Sequence, residues 1–307
     1  MKRIYHLCLS GGNEVMFRNE LDYVLGTNHL CLSAHKTESD LLAYSFMSNH
    51  VHICTRTKNP AELIKHFRYS YTRYFNKKYR RKGRLGEKYF FSLEIEGLYH
   101  VLTVIAYILR NPLHHGVSAT PFGYRFSSIG ALFRYEFGRF EEPALLAEKS
   151  QYLYLPDRQR LPARFKMGTD GMILPETSID VQTVQHYFST ARTFMYYMNR
   201  LSGESWEKEQ LQDPTNLHPI TLEHIERSNG TLDLKLLLNN EYGRANYNAT
   251  SDIQLCKEID NMLKTLTTKE QTLYTTSLRE LHRVAEELQK RLRIPNEQLT
   301  RCFGGLI

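Results

Sequence analysis

The sequence lacks the features that would place it in a membrane, a secretory route or a metal-cluster class. None of its 307 residues fall in an apolar run approaching the roughly eighteen or more that a spanning helix needs, so no transmembrane segment is expected. Met1 to Gly12 hold charge and a short apolar stretch, without a long apolar core or an A-x-A site, so no secretory leader is expected. Cysteine is sparse: Cys8, Cys31, Cys54, Cys256 and Cys302 stand far apart, and no C-x-x-C occurs. An odd, scattered set argues against a disulfide framework or a thiolate zinc site and fits reduced thiols in the cytoplasm. There is no phosphate-binding glycine-rich loop ending in Gly-Lys-Ser/Thr, no helicase motif, no internal repeat and no low-complexity tract.

What is present is an ordinary globular composition, 41% hydrophobic and 24% charged, long enough for a sizeable core and about two domains. The net charge of +7 is uneven. Residues 1–140 hold 20 Lys and Arg against 10 Asp and Glu, while the remainder holds 20 against 23. The densest stretch, 65–88, has ten basic residues and one acid, Glu87, with Tyr69, Tyr71, Tyr74, Phe75 and Tyr79 interleaved. Cations beside aromatics suit a phosphate backbone carrying unstacked bases. Lys77, Lys78, Arg80, Arg81, Lys82 and Arg84 are the candidate phosphate contacts. The plainer reading is a solvated helix face with its aromatics in the core.

Hydrophobic spacing predicts strands over Arg3–Ser10, Leu41–Met47, His50–Thr57 and Tyr89–Glu96. It predicts helices over about 17–33, from Asn59-Pro60 to near Gly83, and over about 98–111, where Pro112 is expected to end the helix. Ser48-Asn49 reads as the turn of a hairpin. The order β-α-β-β-α-β-α predicts an α+β fold, a ferredoxin-like (split βαβ) antiparallel sheet, followed by a mostly α-helical C-terminal region. The expected division is 1–140, a proline-punctuated linker over 141–179 with a hairpin around Asp170-Gly171, and helices over 180–307. Leu278 to Leu306 fits a helical hairpin packed on its neighbours better than a DNA-reading helix-turn-helix, and the mild acidity of this half also argues against the latter.

His50 and His52 alternate with Val51 and Ile53, so on a strand the two imidazoles share a face, as a metal-ligand pair would. Tyr107 and Asn111 lie four apart on a predicted helix and also share a face, aiming a hydroxyl and an amide oxygen at one point. Each has a bland counterpart: hydrogen-bonded core histidines, a core tyrosine, an asparagine at a helix end. His6, His114 and His115 are candidate bases for the tyrosine, with a structural or solvated role the simpler reading.

Met47-Ser48-Asn49-His50-Val51-His52 followed by Tyr107-Ile108-Leu109-Arg110-Asn111-Pro112 resembles the single-tyrosine HUH transposases, in particular the repeat-associated tyrosine transposases. The family's M-P-N-H-V-H pattern is met except for Ser48 in place of proline. Tyr5-His6, Tyr74-Phe75-Asn76, Gly83 and Phe126-Ser127-Ser128 extend the resemblance over about 3–135. It implies that 1–140 is the catalytic domain, with His50, His52 and Asn111 holding a divalent metal, Mg or Mn, and Tyr107 as nucleophile. It further implies single-stranded, hairpin-forming DNA as partner and a 5′-phosphotyrosine intermediate. The sequence leaves open a homodimer with exchanged tyrosine helices, a silent hairpin-binding regulator, a replication or conjugation initiator, and a phosphodiesterase using water as nucleophile.

Overall fold

The computed structural model describes residues 1–115, 117–118, 120–199, 250–266 and 271–307. Four strands, β1 (Arg3–Ser10), β2 (Asp40–Phe46), β3 (His50–Thr57) and β4 (Phe91–Ile95), form one sheet in the order β2-β3-β1-β4. Every neighbouring pair is antiparallel. Helices α1 (Glu20–Lys36), α2 (Pro60–Tyr79) and α3 (Leu98–His114) complete the expected β-α-β-β-α-β-α order. The fold is α+β with the ferredoxin-like strand order.

Period-two alternation gives the sheet two unlike faces. Val51 pairs with Leu9, and Ile53 with Leu7, on the face that α2 covers, where Phe67 meets Phe46 at 6.3 Å between rings. The intervening residues His6, Cys8, His50 and His52 point to the other face, beneath α3. Caps fix the helix starts. The Asn19 side chain accepts from Asp22 N at α1, and Asn59 accepts from Glu62 N ahead of Pro60 at α2. Arg80, left-handed at φ 52°, ends α2 well before Gly83. Pro112 does not end α3, which runs on to His114. A proline this close to a helix C-terminus deletes one backbone bond, and α3 is held by its apolar face through that gap.

Beyond α3 the chain turns through short segments: α4 (Glu148–Gln151), α5 (Pro175–Ser178), α6 (Val181–Phe188) and α7 (Ala191–Asn199). Leu155, Phe165, Met172, Ile173, Val184, Phe188 and Phe194 join the core of the sheet, so that core does not stop at residue 140. The backbone folds back around Asp170-Gly171, with Leu174 N donating to Lys166 O. Buried Asn28 of α1 binds this turn: Nδ2 donates to Tyr154 O and Gly171 O, and Oδ1 accepts from Ile173 N. Each large apolar side chain so buried contributes about 1.5–3 kcal/mol.

A second core is built by α8 (Asp252–Leu266), α9 (Leu278–Leu292) and α10 (Asn296–Cys302), with Leu255, Ile259, Leu281, Leu288 and Phe303 at its centre. Gln298 and Arg301 of α10 turn inward onto Asp252, so this pair of helices packs as a hairpin on its neighbours. Val15 inserts into the second core, and the fully buried Arg18 donates to Cys302 O (2.7 Å) and Asp260 Oδ1 (2.9 Å). The parts of the expected 180–307 helical region at 200–249 and 267–270 lie outside the described residues. No helix among the described residues is long and apolar enough to cross a membrane.

Candidate active site

The β2–β3 hairpin turns through Ser48-Asn49, closed by Met47 N donating to His50 O at 2.8 Å. The turn is gripped from outside. Gly11 N donates to Asn49 O, and a Cβ on Gly11 would stand 2.2 Å from Glu14 O and 2.9 Å from Asn49 O, so only glycine fits there. Register then sets the histidines: His50 lies opposite Ser10, and His52 opposite Cys8. Their rings are 4.9 Å apart. Both side chains are buried, on the face under α3.

α3 brings the other two residues. The Tyr107 ring lies 5.4 Å from that of His52 and 6.0 Å from that of His6. Asn111, one turn on, places Oδ1 at 3.0 Å from His50 Nε2. The structure therefore gathers His50, His52, Tyr107 and Asn111, four residues from two distant segments, at one place.

Proton accounting at His50 is informative. Asn49 Nδ2 donates to Gly12 O, which leaves Asn49 Oδ1 to accept from His50 Nδ1 at 2.9 Å. Burial lowers the His50 pKa to about 4, so the ring is neutral at pH 7 and carries only that one N–H. Its Nε2 is then a bare lone pair facing the Asn111 oxygen, another acceptor. A cation shared by the two relieves the repulsion, as does turning the amide over. Two ligands each about 2.1 Å from an octahedral ion stand about 3.0 Å apart when adjacent, so the spacing fits a divalent cation. Among the described residues no three His, Cys, Asp or Glu side chains converge on a metal-binding point. Any ion here would rest on two imidazoles and an amide oxygen, with its remaining positions open.

Two of the candidate bases lie against the histidine pair. His6 Nε2 lies 3.1 Å from His52 Nδ1, and burial lowers the His6 pKa to about 3, so it is a neutral partner that fixes the orientation of the His52 ring. The His115 ring lies 5.0 Å from that of His50, tilted to it, and its buried Nε2 has no hydrogen-bond partner. The alternation of β1 marks His6 as facing His52 only once the β1–β3 register is known. His114 lies 6.0 Å from the Tyr107 ring and is lowered to about 4, by burial and then by the Arg110 charge.

Residues 6–111 match the family model described as "Transposase IS200 like". The match runs from His6 to Asn111 and contains all four gathered residues, so this segment is similar to the IS200-like transposases. Among solved structures, a REP-associated tyrosine transposase bound to a REP hairpin is similar at 13% identity and a TM-score of 0.38, over 47% of this chain and 84% of that one. No curated protein matches the chain.

The basic run divides by environment. Lys78 Nζ sits 2.6 Å from Asp22, a fully buried carboxylate that also accepts from the Tyr74 and Tyr79 hydroxyls. Arg81 forms a two-pronged pair with Glu14 at 2.7 and 2.8 Å. Both therefore hold the fold together. Lys77, Arg80, Lys82 and Arg84 are exposed. A groove of about 520 Å³ lies between α2 and the segment leading into β4, lined among others by Lys65, Arg68, Arg73, Arg84 and Lys88. Its aromatic rims, Tyr69 and Tyr89, are 65% and 74% exposed, with Arg73 over the first and Lys88 over the second. No carboxylate lines the groove. Arg68 Nε and Nη2 have no acceptor in its wall.

Proposed function

We propose that this chain is a tyrosine transposase that cuts and rejoins single-stranded, hairpin-associated DNA through a covalent bond to Tyr107, with a divalent metal, Mg or Mn, held by His50, His52 and Asn111. The observation that carries the reading is the convergence of the Tyr107 ring on His52 and of the Asn111 oxygen on His50 Nε2. When bound, the cation polarises the scissile phosphate and offsets the charge that develops on it.

The side chains supply the rest. Tyr107 is partly buried on a rigid helix, so its hydroxyl meets the phosphate with little orientational freedom left to lose. Attack forms a bond from the tyrosine oxygen to phosphorus and breaks the bond to O3′. The phenolic proton is lost to solvent or a neighbouring base, and the departing oxygen takes one up as a 3′-hydroxyl. The phosphotyrosine keeps the phosphodiester's energy, so attack by another 3′-hydroxyl reseals a strand without a nucleoside triphosphate. That accords with a sequence that has no phosphate-binding loop.

The DNA path is assigned to the groove beside α2 together with the exposed Lys77, Arg80, Lys82 and Arg84. Cations track phosphates there, and Tyr69 and Tyr89 offer ring faces to unpaired bases. The start of β4 links the groove to the chemistry: Phe90 lines the groove, while Phe91, opposite Cys8, lies 5.3 Å from the His6 ring. A strand leaving the groove therefore has one edge strand to pass before reaching Tyr107. This transposase would act in the cytoplasm, on the cell's own DNA.

The deciding experiment incubates the protein with labelled single-stranded hairpin DNA, drawn from a pool that includes sequences flanking its own locus, with Mn(II) or Mg(II), followed by a denaturing gel. A covalent band lost in Tyr107→Phe and in EDTA is expected. Cleavage that survives Tyr107→Phe without a band would replace the tyrosine by water as nucleophile. Binding without cleavage under any metal would make the chain a hairpin-binding regulator.

A further inference from the structure

The turn that presents His50 is tied to the C-terminal helices by a single buried carboxylate. Ser48 Oγ donates to Asp252 Oδ2 at 2.5 Å, across 204 positions of sequence. Asp252 opens α8, and its two oxygens also accept from Arg301 Nε (2.8 Å), Arg301 Nη2 (3.0 Å) and Gln298 Nε2 (3.0 Å), all from α10. On the other side of Ser48, its own carbonyl accepts from Met16 N and Phe17 N, and the next residue, Asn49, orients the His50 ring. Arg301 returns to the same loop, its carbonyl accepting from Val15 N. The chain of contacts therefore runs from α10 through Asp252, Ser48 and Asn49 to His50. Ser48 is also where the sequence departs from M-P-N-H-V-H, and the departure supplies the hydroxyl that this contact uses.

We infer that Asp252, clasped by Arg301, is a positioning residue for the transposase site: through Ser48 it holds the Ser48-Asn49 turn and so the direction of His50. The inference rests on the metal-assisted reading given above. Docking of the C-terminal helices alone does not account for the contact. Those helices have a core of their own and are fastened separately by Val15 and by the buried Arg18 paired with the partly exposed Asp260. Removing the Ser48 hydroxyl therefore leaves the docking intact while cutting the turn's side-chain tie to Asp252, with the backbone bonds from Gly11, Met16 and Phe17 still in place. Groups that orient a metal ligand from behind are worth about tenfold or more in metal affinity.

The test uses the full chain and compares Ser48→Ala and Asp252→Asn with Asp260→Asn, which weakens the docking away from the turn. Mn(II) affinity is read by electron paramagnetic resonance titration, stability by the thermal midpoint, and chemistry by the rate of adduct formation at saturating DNA. Ser48→Ala and Asp252→Asn are expected to weaken Mn(II) binding by about tenfold and to slow adduct formation, with DNA affinity unchanged. Asp260→Asn is expected to lower the thermal midpoint while Mn(II) affinity holds. Ser48→Ala that binds Mn(II) and forms adduct as the wild type does would overturn the inference. If the wild type takes up no Mn(II), the metal reading fails on its own, and the adduct rate of Ser48→Ala against Asp260→Asn decides the positioning role.

Discussion

Val51 and His52 are neighbours on β3, both have no exposed surface, and they face opposite sides of one sheet. Behind Val51 the packing is apolar, with Leu9 across the ladder and the α2 aromatics beyond. Behind His52 are polar rings and a hydroxyl: His6, Tyr107 and, two residues back along the strand, His50 paired with Asn111. Burial alone does not separate core from site. A buried imidazole nitrogen without a partner is costly, and on this face the partners that are found are other potential ligands. The sheet thus separates stability and chemistry by the pleat of a single strand.

Substitution on the two faces breaks that comparison most sharply. His52→Asn is expected to cut adduct formation by about 100-fold or more, because the proposed metal ligand and the partner of His6 are lost together. Its urea midpoint is expected to move little. Val51→Ala is expected to do the reverse, removing about 2 kcal/mol of stability by transfer and cavity terms while each folded molecule keeps its rate. Equal effects of the two on rate and on midpoint would mean that the faces are not functionally distinct.

The four gathered residues were legible in the sequence because each pair is local: two histidines two apart on a strand, a tyrosine and an asparagine four apart on a helix. The order of elements, and with it the sheet, was legible from alternation and caps for the same reason. What was not legible depends on distant partners. Lys78 and Arg81 look like their neighbours in a basic run, yet Asp22 and Glu14, some sixty residues earlier, draw them inward. Ser48 carries no sign of Asp252, and His6 none of His52, until the chain is folded. Pro112 reads as a stop by local sterics, and tertiary packing of α3 carries the helix past it.

The basic run allows a sharper version of the same contrast. Lys78→Ala leaves the buried Asp22 without its cation, at a cost of about 2 kcal/mol, reduced by the tyrosine hydroxyls that remain. Lys77→Ala, one residue away and exposed, is expected to shift stability by less than about 0.5 kcal/mol. Its effect appears instead in DNA affinity and in a shallower salt dependence, by about one unit of log–log slope. Tyr89→Ala in the groove is expected to weaken single-strand binding by about tenfold without that change in salt slope, since stacking rather than charge is removed. Filter binding at several salt concentrations, beside urea melts, separates the three.

The last and smallest expected change lies in the C-terminal helices and is a change with pH. Burial by itself would raise the pKa of Asp252, but the Arg301 charge and the hydrogen bonds from Arg301, Ser48 and Gln298 outweigh it and hold the carboxyl below its ordinary value. A carboxyl depressed in the folded state adds stability that is complete above its unfolded pKa, about 3.9, and is lost as pH falls through the lower folded value. The gap in urea midpoint between the wild type and Asp252→Asn is therefore expected to stay constant from pH 7 to about 5, and to close below about 4. A gap that closes near neutrality would instead point to a histidine. His115, which lies beside His50 and whose pKa is held well below the ordinary value, first by burial and then by the charges of His50, His114 and Arg301, would be the group to substitute next.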